Sequence, residues 1–225
     1  MKKLPIIFLL FLVGCAHFGT VKSKMDDPDF QLQNQPIRIV NIEVINDGFS
    51  KDAVLDSIMR VSDDLTKQVG ITLSIKEYRE GEISSFGHRQ AVRNLSKNTF
   101  EPTKFDLIIG FSTRSIVSHL IEASSMGWAW LGVIDDTWRK FIVIKMLDDR
   151  VLLHEIYHAF IFNTVHSSSG IMSNAIVKVP LAPILFNLPH YISNKDREEV
   201  LRNKWRDFSE RPEIPAEYRS DTLRK

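Results

Sequence analysis

The chain has 225 residues, of which 44% are hydrophobic and 25% are charged, and its formal net charge is +1. This length suits one domain or a small pair, and the composition excludes global disorder, a collagen-like repeat and a multi-span membrane protein. The charge balance predicts no nucleic-acid partner. Because Cys15 is the single cysteine, an intramolecular disulfide and a cysteine-based zinc cluster are excluded, so a bound metal needs histidine and carboxylate ligands.

The N-terminus has the proportions of a secretory signal peptide. Two lysines precede an apolar stretch over residues 4–14, which is too short to span a bilayer as a helix. The stretch ends in Leu12-Val-Gly-Cys15, which resembles the bacterial lipobox, where cleavage occurs before a lipid-modified cysteine. The resemblance implies a lipoprotein signal peptide at residues 1–14 and stable anchoring by acyl chains on Cys15. An ordinary signal peptide or an uncleaved N-terminal anchor is the alternative.

Residues 15–36 are predicted to be the lipidated cysteine and a polar tether that holds a folded domain away from the membrane. Ala16 follows the cysteine, and no aspartate stands there to indicate retention in the inner membrane. By the rule for such lipoproteins, we expect a location in the bacterial cell envelope, with the outer membrane favoured. The domain would then be exposed to the periplasm or to the exterior.

The domain itself is predicted to begin with a strand, because residues 37–45 are rich in β-branched side chains and partly alternate. Apolar residues at spacings of three and four then predict a long helix from Ser50 to Val69, which Gly70 ends. Further strands are predicted over residues 71–78, 105–111, 128–134 and 141–146, and further helices over residues 115–123, 150–162 and 194–208. The polar connection 79–103 stays unassigned. Strands and helices mixed in one domain, at residues 37–210, predict the α/β or α+β class, and residues 211–225 form a polar tail.

The candidate chemistry lies in His154-Glu-Ile-Tyr-His158, an H-E-x-x-H motif on a predicted helix. Histidines four residues apart share one helix face, with Cβ atoms about 5–6 Å apart, so both imidazoles can bind one Zn²⁺. Glu155 lies beside them and can accept a proton from a water whose pKa the metal lowers to about 7. The apolar side of the helix predicts that it packs into the fold, which favours a metal site over a chance pair of exposed histidines.

The sequence from His154 to Met172 resembles the metzincin metallopeptidases, and most of all their matrixin branch. That family has the motif H-E-x-x-H-x-x-G-x-x-H, followed shortly by a Met-turn. The resemblance implies one catalytic Zn²⁺ bound by His154, His158 and His166, with Glu155 as general base. It also implies that Met172 packs beneath the metal site without binding the metal.

The chain departs from the family motif after the second histidine. Ile161 occupies the position of the glycine, and seven residues instead of five separate His158 from His166. We expect the helix to run two residues further and Asn163 to make the left-handed turn, since asparagine tolerates that conformation. A surface loop position for His166 is the alternative. A third ligand at Glu198 or Glu199 is the other alternative, although no surrounding sequence supports it.

The order of predicted elements agrees with the metzincin arrangement. The resemblance implies an α+β fold (an α/β-type sandwich) with a twisted mixed sheet of about five strands, a long first helix, a zinc-site helix and a C-terminal helix. In that family, the strand before the turn of the β-pair lines the cleft and pairs with an extended peptide. The substrate-binding residues implied here are Gly127, Trp128, Ala129, Trp130 and Leu131.

These features together predict a monomeric, membrane-anchored zinc endopeptidase that acts on a peptide or protein substrate. The alternative is a catalytically silent zinc-binding lipoprotein that binds peptides or envelope proteins, because the two-residue insertion can misplace His166. Glu155 favours the enzyme, since a site that only holds zinc needs no base. A structural lipoprotein without metal would require the histidine pair, the Met-turn and the order of elements to coincide by accident.

Overall fold

A computed structural model describes residues 36–83, 87–113, 131–163, 167, 170–173, 190–215 and 218. These residues form, in chain order, β1 Arg38–Asp47, α1 Lys51–Val69, β2 Ile71–Glu80, α2 His88–Asn98, a 3-10 turn Pro102–Lys104, β3 Leu107–Ser112, β4 Gly132–Ile134, β5 Phe141–Ile144, α3 Asp149–His158 and α4 Asn194–Asn203. The predicted signal peptide, Cys15, the tether up to residue 35 and the predicted helix 115–123 lie outside the described residues.

The five described strands form one mixed sheet in the order β2-β1-β3-β5-β4. β1 pairs in parallel with β2 and β3, and β3 pairs in parallel with β5, whereas β4 runs antiparallel to β5. The interior strands are apolar runs rich in β-branched residues, as expected for strands covered on both faces. The predicted mixed sheet of about five strands is therefore confirmed.

The long first helix, α1, has the bounds that its sequence predicts. Its buried face includes Val54, Ile58, Val61 and Leu65, which recur at the spacing of one helix face. Gly70 ends the helix in the left-handed conformation, with φ of 67°, and its N–H donates to carbonyl oxygens of the last turn. The main hydrophobic core joins this face of α1 to the sheet and to α3.

The helix α2 lies in the segment that the sequence left unassigned. It carries a narrow apolar stripe, in which Ala91 and Leu95 are buried, and it covers the second core on the opposite face of the sheet. Gly110 of β3 makes room for this layer, because a Cβ there would lie 2.7 Å from Ile83 Cδ1 and 2.9 Å from Leu95 Cδ1. Its three apolar residues, Ala91, Val92 and Leu95, are too few for a clear periodic signal in the sequence.

The end of α3 differs from the expectation. The predicted helix 150–162 ends at His158, and Asn163 does not take the left-handed conformation, since Arg139 is the one non-glycine residue with positive φ among the described residues. The Arg139 guanidinium donates to the carbonyl oxygens of His158 at 3.0 Å and Ile161 at 2.8 Å. Arg206 donates to that of Ala159 at 2.7 Å. Cations at a helix C-terminus satisfy its last carbonyls and complement its dipole.

The C-terminal helix α4 begins where predicted and ends earlier, at Asn203 instead of residue 208. Ser193 is its N-cap, and its hydroxyl accepts a hydrogen bond from the backbone N–H of Asp196 at 3.2 Å. Within the described part of the chain, no helix is both long and apolar enough to cross a membrane.

Candidate metal centre

The helix α3 is fixed firmly at its N-terminus. Asp148 is the N-cap, and its carboxylate accepts from the backbone N–H of Arg150 at 2.9 Å. Asp149, the first helical residue, accepts from the Ser57 hydroxyl at 2.7 Å and from Arg60 Nε at 2.6 Å. Both partners belong to α1, so the two helices are joined by charge-assisted hydrogen bonds as well as by apolar packing.

The two motif histidines face each other one helical turn further on. The Nε2 atoms of His154 and His158 are 3.1 Å apart, and the ring planes are nearly perpendicular, at 82°. Two nitrogen ligands of a tetrahedral Zn²⁺, each at about 2.0–2.1 Å from the metal, are separated by roughly 3.3–3.4 Å. The observed separation therefore fits a shared zinc ion with a small adjustment of the rings.

The orientation of His154 is set by a backbone carbonyl. Its Nδ1 lies 2.9 Å from the carbonyl oxygen of Ile171. Because a carbonyl oxygen only accepts, the hydrogen belongs on Nδ1, which leaves Nε2 as the nitrogen directed toward His158. A carbonyl of this kind is the usual outer partner of a metal-binding histidine, and it was not foreseen from the sequence.

That carbonyl belongs to the predicted Met-turn. Gly170 takes the left-handed conformation, with φ of 71°, and the N–H of Ile171 donates to the carbonyl oxygen of Tyr191 at 2.7 Å. Arg150 Nη2 donates to the same Ile171 carbonyl oxygen at 3.2 Å. Met172 is buried in the main core, with 2% of its surface exposed. The segment is thus held from three sides next to the metal-site helix.

Glu155 is buried between α3 and the strand β4, with 8% of its surface exposed. Burial raises the pKa of its carboxyl group to about 8, because the charged form loses hydration. Its side chain lies against Gly132, the first residue of β4. A buried glutamate beside two convergent histidines is suited to proton transfer near neutral pH, since a carboxylate with a raised pKa is a stronger base.

The remaining predicted site residues fall mostly outside the described residues. These are His166, Gly127, Trp128, Ala129, Trp130 and Cys15. Leu131 is described and half-buried, and its carbonyl oxygen accepts from the Lys145 N–H at 2.8 Å. Among the described side chains, no group of three potential ligands converges to hold a metal. The roles of His166 and of the 127–131 strand therefore stay predictions.

Glu199, one of the alternative third ligands, has a different use. Its Oε1 accepts from the backbone N–H groups of Phe162 at 2.7 Å and Asn163 at 3.2 Å. The carboxylate thus binds the chain that leaves α3 toward residue 166, which favours a structural role.

Tyr157 is a fully buried packing residue. Its hydroxyl donates to the side chain of Gln68 on α1 at 3.2 Å. The same Gln68 oxygen accepts from the Ile192 N–H at 2.7 Å. The ring thus helps to hold the metal-site helix against α1 and the segment that precedes α4.

The fold is similar to that of archaemetzincin from Methanopyrus kandleri, with a TM-score of 0.52 and 12% sequence identity over 74% of this chain and 96% of that chain. A solved chaperone–substrate complex is also similar, with a TM-score of 0.51 and 8% identity over 76% of this chain. There the match spans 34% of the other chain. No known family profile and no curated protein sequence matches. At these identities the likeness concerns the fold alone, and the predicted α+β class with a mixed sheet of about five strands is confirmed.

Proposed function

We propose that this chain, which has an archaemetzincin-like fold, is a zinc-dependent endopeptidase. The observation that carries the proposal is the 3.1 Å separation between the Nε2 atoms of His154 and His158, with the buried Glu155 on the same helix. His166 is proposed as the third ligand on the basis of the sequence motif. Catalytic zinc sites have three protein ligands and one open position, so a third donor is required.

The proposed reaction assigns a distinct task to each described residue. Zinc, when bound, would polarise the scissile carbonyl and lower the pKa of a water molecule to about 7. Glu155 accepts the proton from the attacking water and then donates it to the leaving amine. The Ile171 carbonyl keeps the Nδ1 hydrogen of His154 in place, so that His154 presents Nε2 to the metal.

Substrate is proposed to bind as an extended peptide beside β4 and Leu131, the residue that precedes it. β4 is at the edge of the described sheet, where a further strand can add by backbone hydrogen bonds. Anchoring through lipid on Cys15, with the domain on the periplasmic or outer side of a bacterial envelope, is proposed from the N-terminal sequence alone. We propose a monomer without a nucleic-acid partner.

A catalytically silent zinc-binding lipoprotein is the second candidate, and one observation favours it. The stretched motif was rationalised by a longer helix and a left-handed Asn163, yet α3 ends at His158 and Asn163 has a negative φ. The left-handed turn that was expected to direct the chain back toward the metal is therefore not formed at Asn163. If the third ligand is missing, the histidine pair can hold zinc weakly without turnover.

The two candidates are distinguished by measuring zinc content and peptide cleavage on the full-length protein in detergent. The peptidase predicts one zinc per chain, and it predicts that Glu155→Gln keeps the zinc and loses about 10²–10⁴-fold in kcat. His166→Ala should weaken zinc binding, whereas the matched control His190→Ala, at an exposed position, should change neither property. Zinc without cleavage of a broad peptide library would establish the silent protein, and absence of zinc would refute both.

A further inference from the structure

Glu155 lies against Gly132, a residue without a side chain. A Cβ added at Gly132 would lie 2.6 Å from Glu155 Cγ, 2.9 Å from Glu155 Oε1 and 3.0 Å from Val151 Cγ1. Gly132 does not have a positive φ, so its backbone conformation does not require glycine. The requirement is for space, since real Cβ atoms essentially never approach other atoms so closely.

The backbone of Gly132 is held in place by the sheet. β4 pairs with β5 in antiparallel register, with Gly132 opposite Ile144 and Val133 opposite Val143. On the other face, Val133 packs against the second core beneath α2. A strand held in this way cannot easily move away from α3. A side chain at residue 132 would therefore displace the Glu155 side chain from its Cγ outward, and the carboxylate with it.

We propose that Gly132 is a positioning residue: its lack of a side chain lets the edge strand lie against Glu155 and determines where that carboxylate sits relative to His154 and His158. The expected effect of Gly132 on the reaction rate rests on the proposed peptidase function. Proton transfer needs the base within hydrogen-bond reach of the reacting water. A misplacement of about 1 Å in such a site can cost about 10²-fold in rate.

The kinetic test is Gly132→Ala in the full-length, zinc-loaded protein. We expect kcat to fall about 10²-fold, with KM within about twofold of wild type and the zinc content unchanged. Gly87→Ala is the matched control, because a Cβ there meets nothing within 4 Å. Gly110→Ala is the second control, because its Cβ would crowd Ile83 and Leu95 on the opposite face of the sheet. It should lower Tm while leaving kcat unchanged.

The structural test needs neither zinc nor activity. In a crystal structure of metal-free Gly132→Ala, we expect the Glu155 carboxylate to move by about 1 Å or more while β4 keeps its pairing with β5. An unmoved Glu155 carboxylate, or wild-type kcat in Gly132→Ala, would overturn the inference. If the wild type does not cleave peptides, the proposed function fails, and the position of the Glu155 carboxylate alone then decides the role of Gly132.

Discussion

The Nδ1 atom of His154 lies 2.9 Å from the carbonyl oxygen of Ile171, so the segment around Met172 is joined to the metal-site helix by a hydrogen bond. Arg150, one turn before His154 on the same helix, donates to that carbonyl oxygen as well, at 3.2 Å. The Ile171 carbonyl therefore links the segment around Met172 both to Arg150, near the start of α3, and to His154, the first proposed ligand. Changes at this carbonyl should affect metal binding before they affect the rest of the fold.

Replacing Arg150 should weaken zinc binding without removing a ligand. Arg150→Met keeps the aliphatic volume and removes the donor to Ile171, so the 170–173 segment is held less tightly. Loss of such an outer partner typically lowers metal affinity about 10–100-fold. Competition with a chelator measures the affinity, and Arg89→Met, at an exposed position of α2, is the control. Equal affinities in both variants would show that the Arg150 contact does not support the site.

The hydrogen bonds that Asp149 accepts from Ser57 and Arg60 of α1 should make the stability of the protein depend on pH. Burial acts to raise the pKa of Asp149, but hydrogen bonds from Arg60 and Ser57 outweigh it, and the pKa is lowered. A carboxyl group whose pKa is lowered on folding stabilises the protein above its unfolded pKa of about 3.9, and the contribution is lost as the pH falls through the folded pKa.

Accordingly, Asp149→Asn should lower the free energy of unfolding by about 1 kcal/mol at pH 7, and the difference from wild type should shrink as the pH falls below about 4. Urea unfolding of the metal-free protein between pH 7 and pH 3 measures both quantities. Asp63→Asn, at an exposed position of α1, should show no such trend. A difference that stays constant with pH would rule out the ionic contribution.

Arg139 should be essential to the end of the metal-site helix. It is 4% exposed, and it donates to the carbonyl oxygens of His158 and Ile161. Arg139→Met would remove the hydrogen bond that each of these two carbonyl oxygens accepts from the guanidinium. The cost is about 1–3 kcal/mol for each carbonyl group. We expect a fall in Tm of roughly 4–24 °C by calorimetry. Arg202→Met on the exposed face of α4 should stay within about 1 °C of wild type, and a comparable loss there would refute this role.

Two substitutions at Glu199 distinguish a structural carboxylate from a metal ligand. Glu199→Gln keeps an oxygen that can accept from the N–H groups of Phe162 and Asn163, whereas Glu199→Ala removes it. We expect Glu199→Gln to retain one zinc per chain and most of its stability. Glu199→Ala should be destabilised by about 1–3 kcal/mol. If both variants lost zinc to the same extent, Glu199 would be a ligand after all.

Local patterns in the sequence determined much of the fold. The apolar stripe between Ser50 and Gly70 predicted α1 at both ends, and β-branched, alternating or compact apolar runs predicted the five strands. α4 begins at Asn194, where the sequence predicted its start, and α3 begins at Asp149, one residue before its predicted start. These signals are readable because periodicity, N-caps and a C-terminal glycine act over a few neighbouring residues. The spacing of His154 and His158 is local in the same sense, since a helix places residues four apart on one face.

Contacts between distant residues decided what the sequence could not. At the end of α3, Arg139 and Arg206 come from other parts of the chain and donate to the carbonyl oxygens of His158 and of the next residue, Ala159. The hydrogen bond from His154 to Ile171 and the space that Gly132 leaves for Glu155 arise in the same way. Hydrogen-bond partners and close packing depend on which residues come into contact in the folded protein. Local sequence patterns do not specify these contacts, because the residues are far apart in the chain.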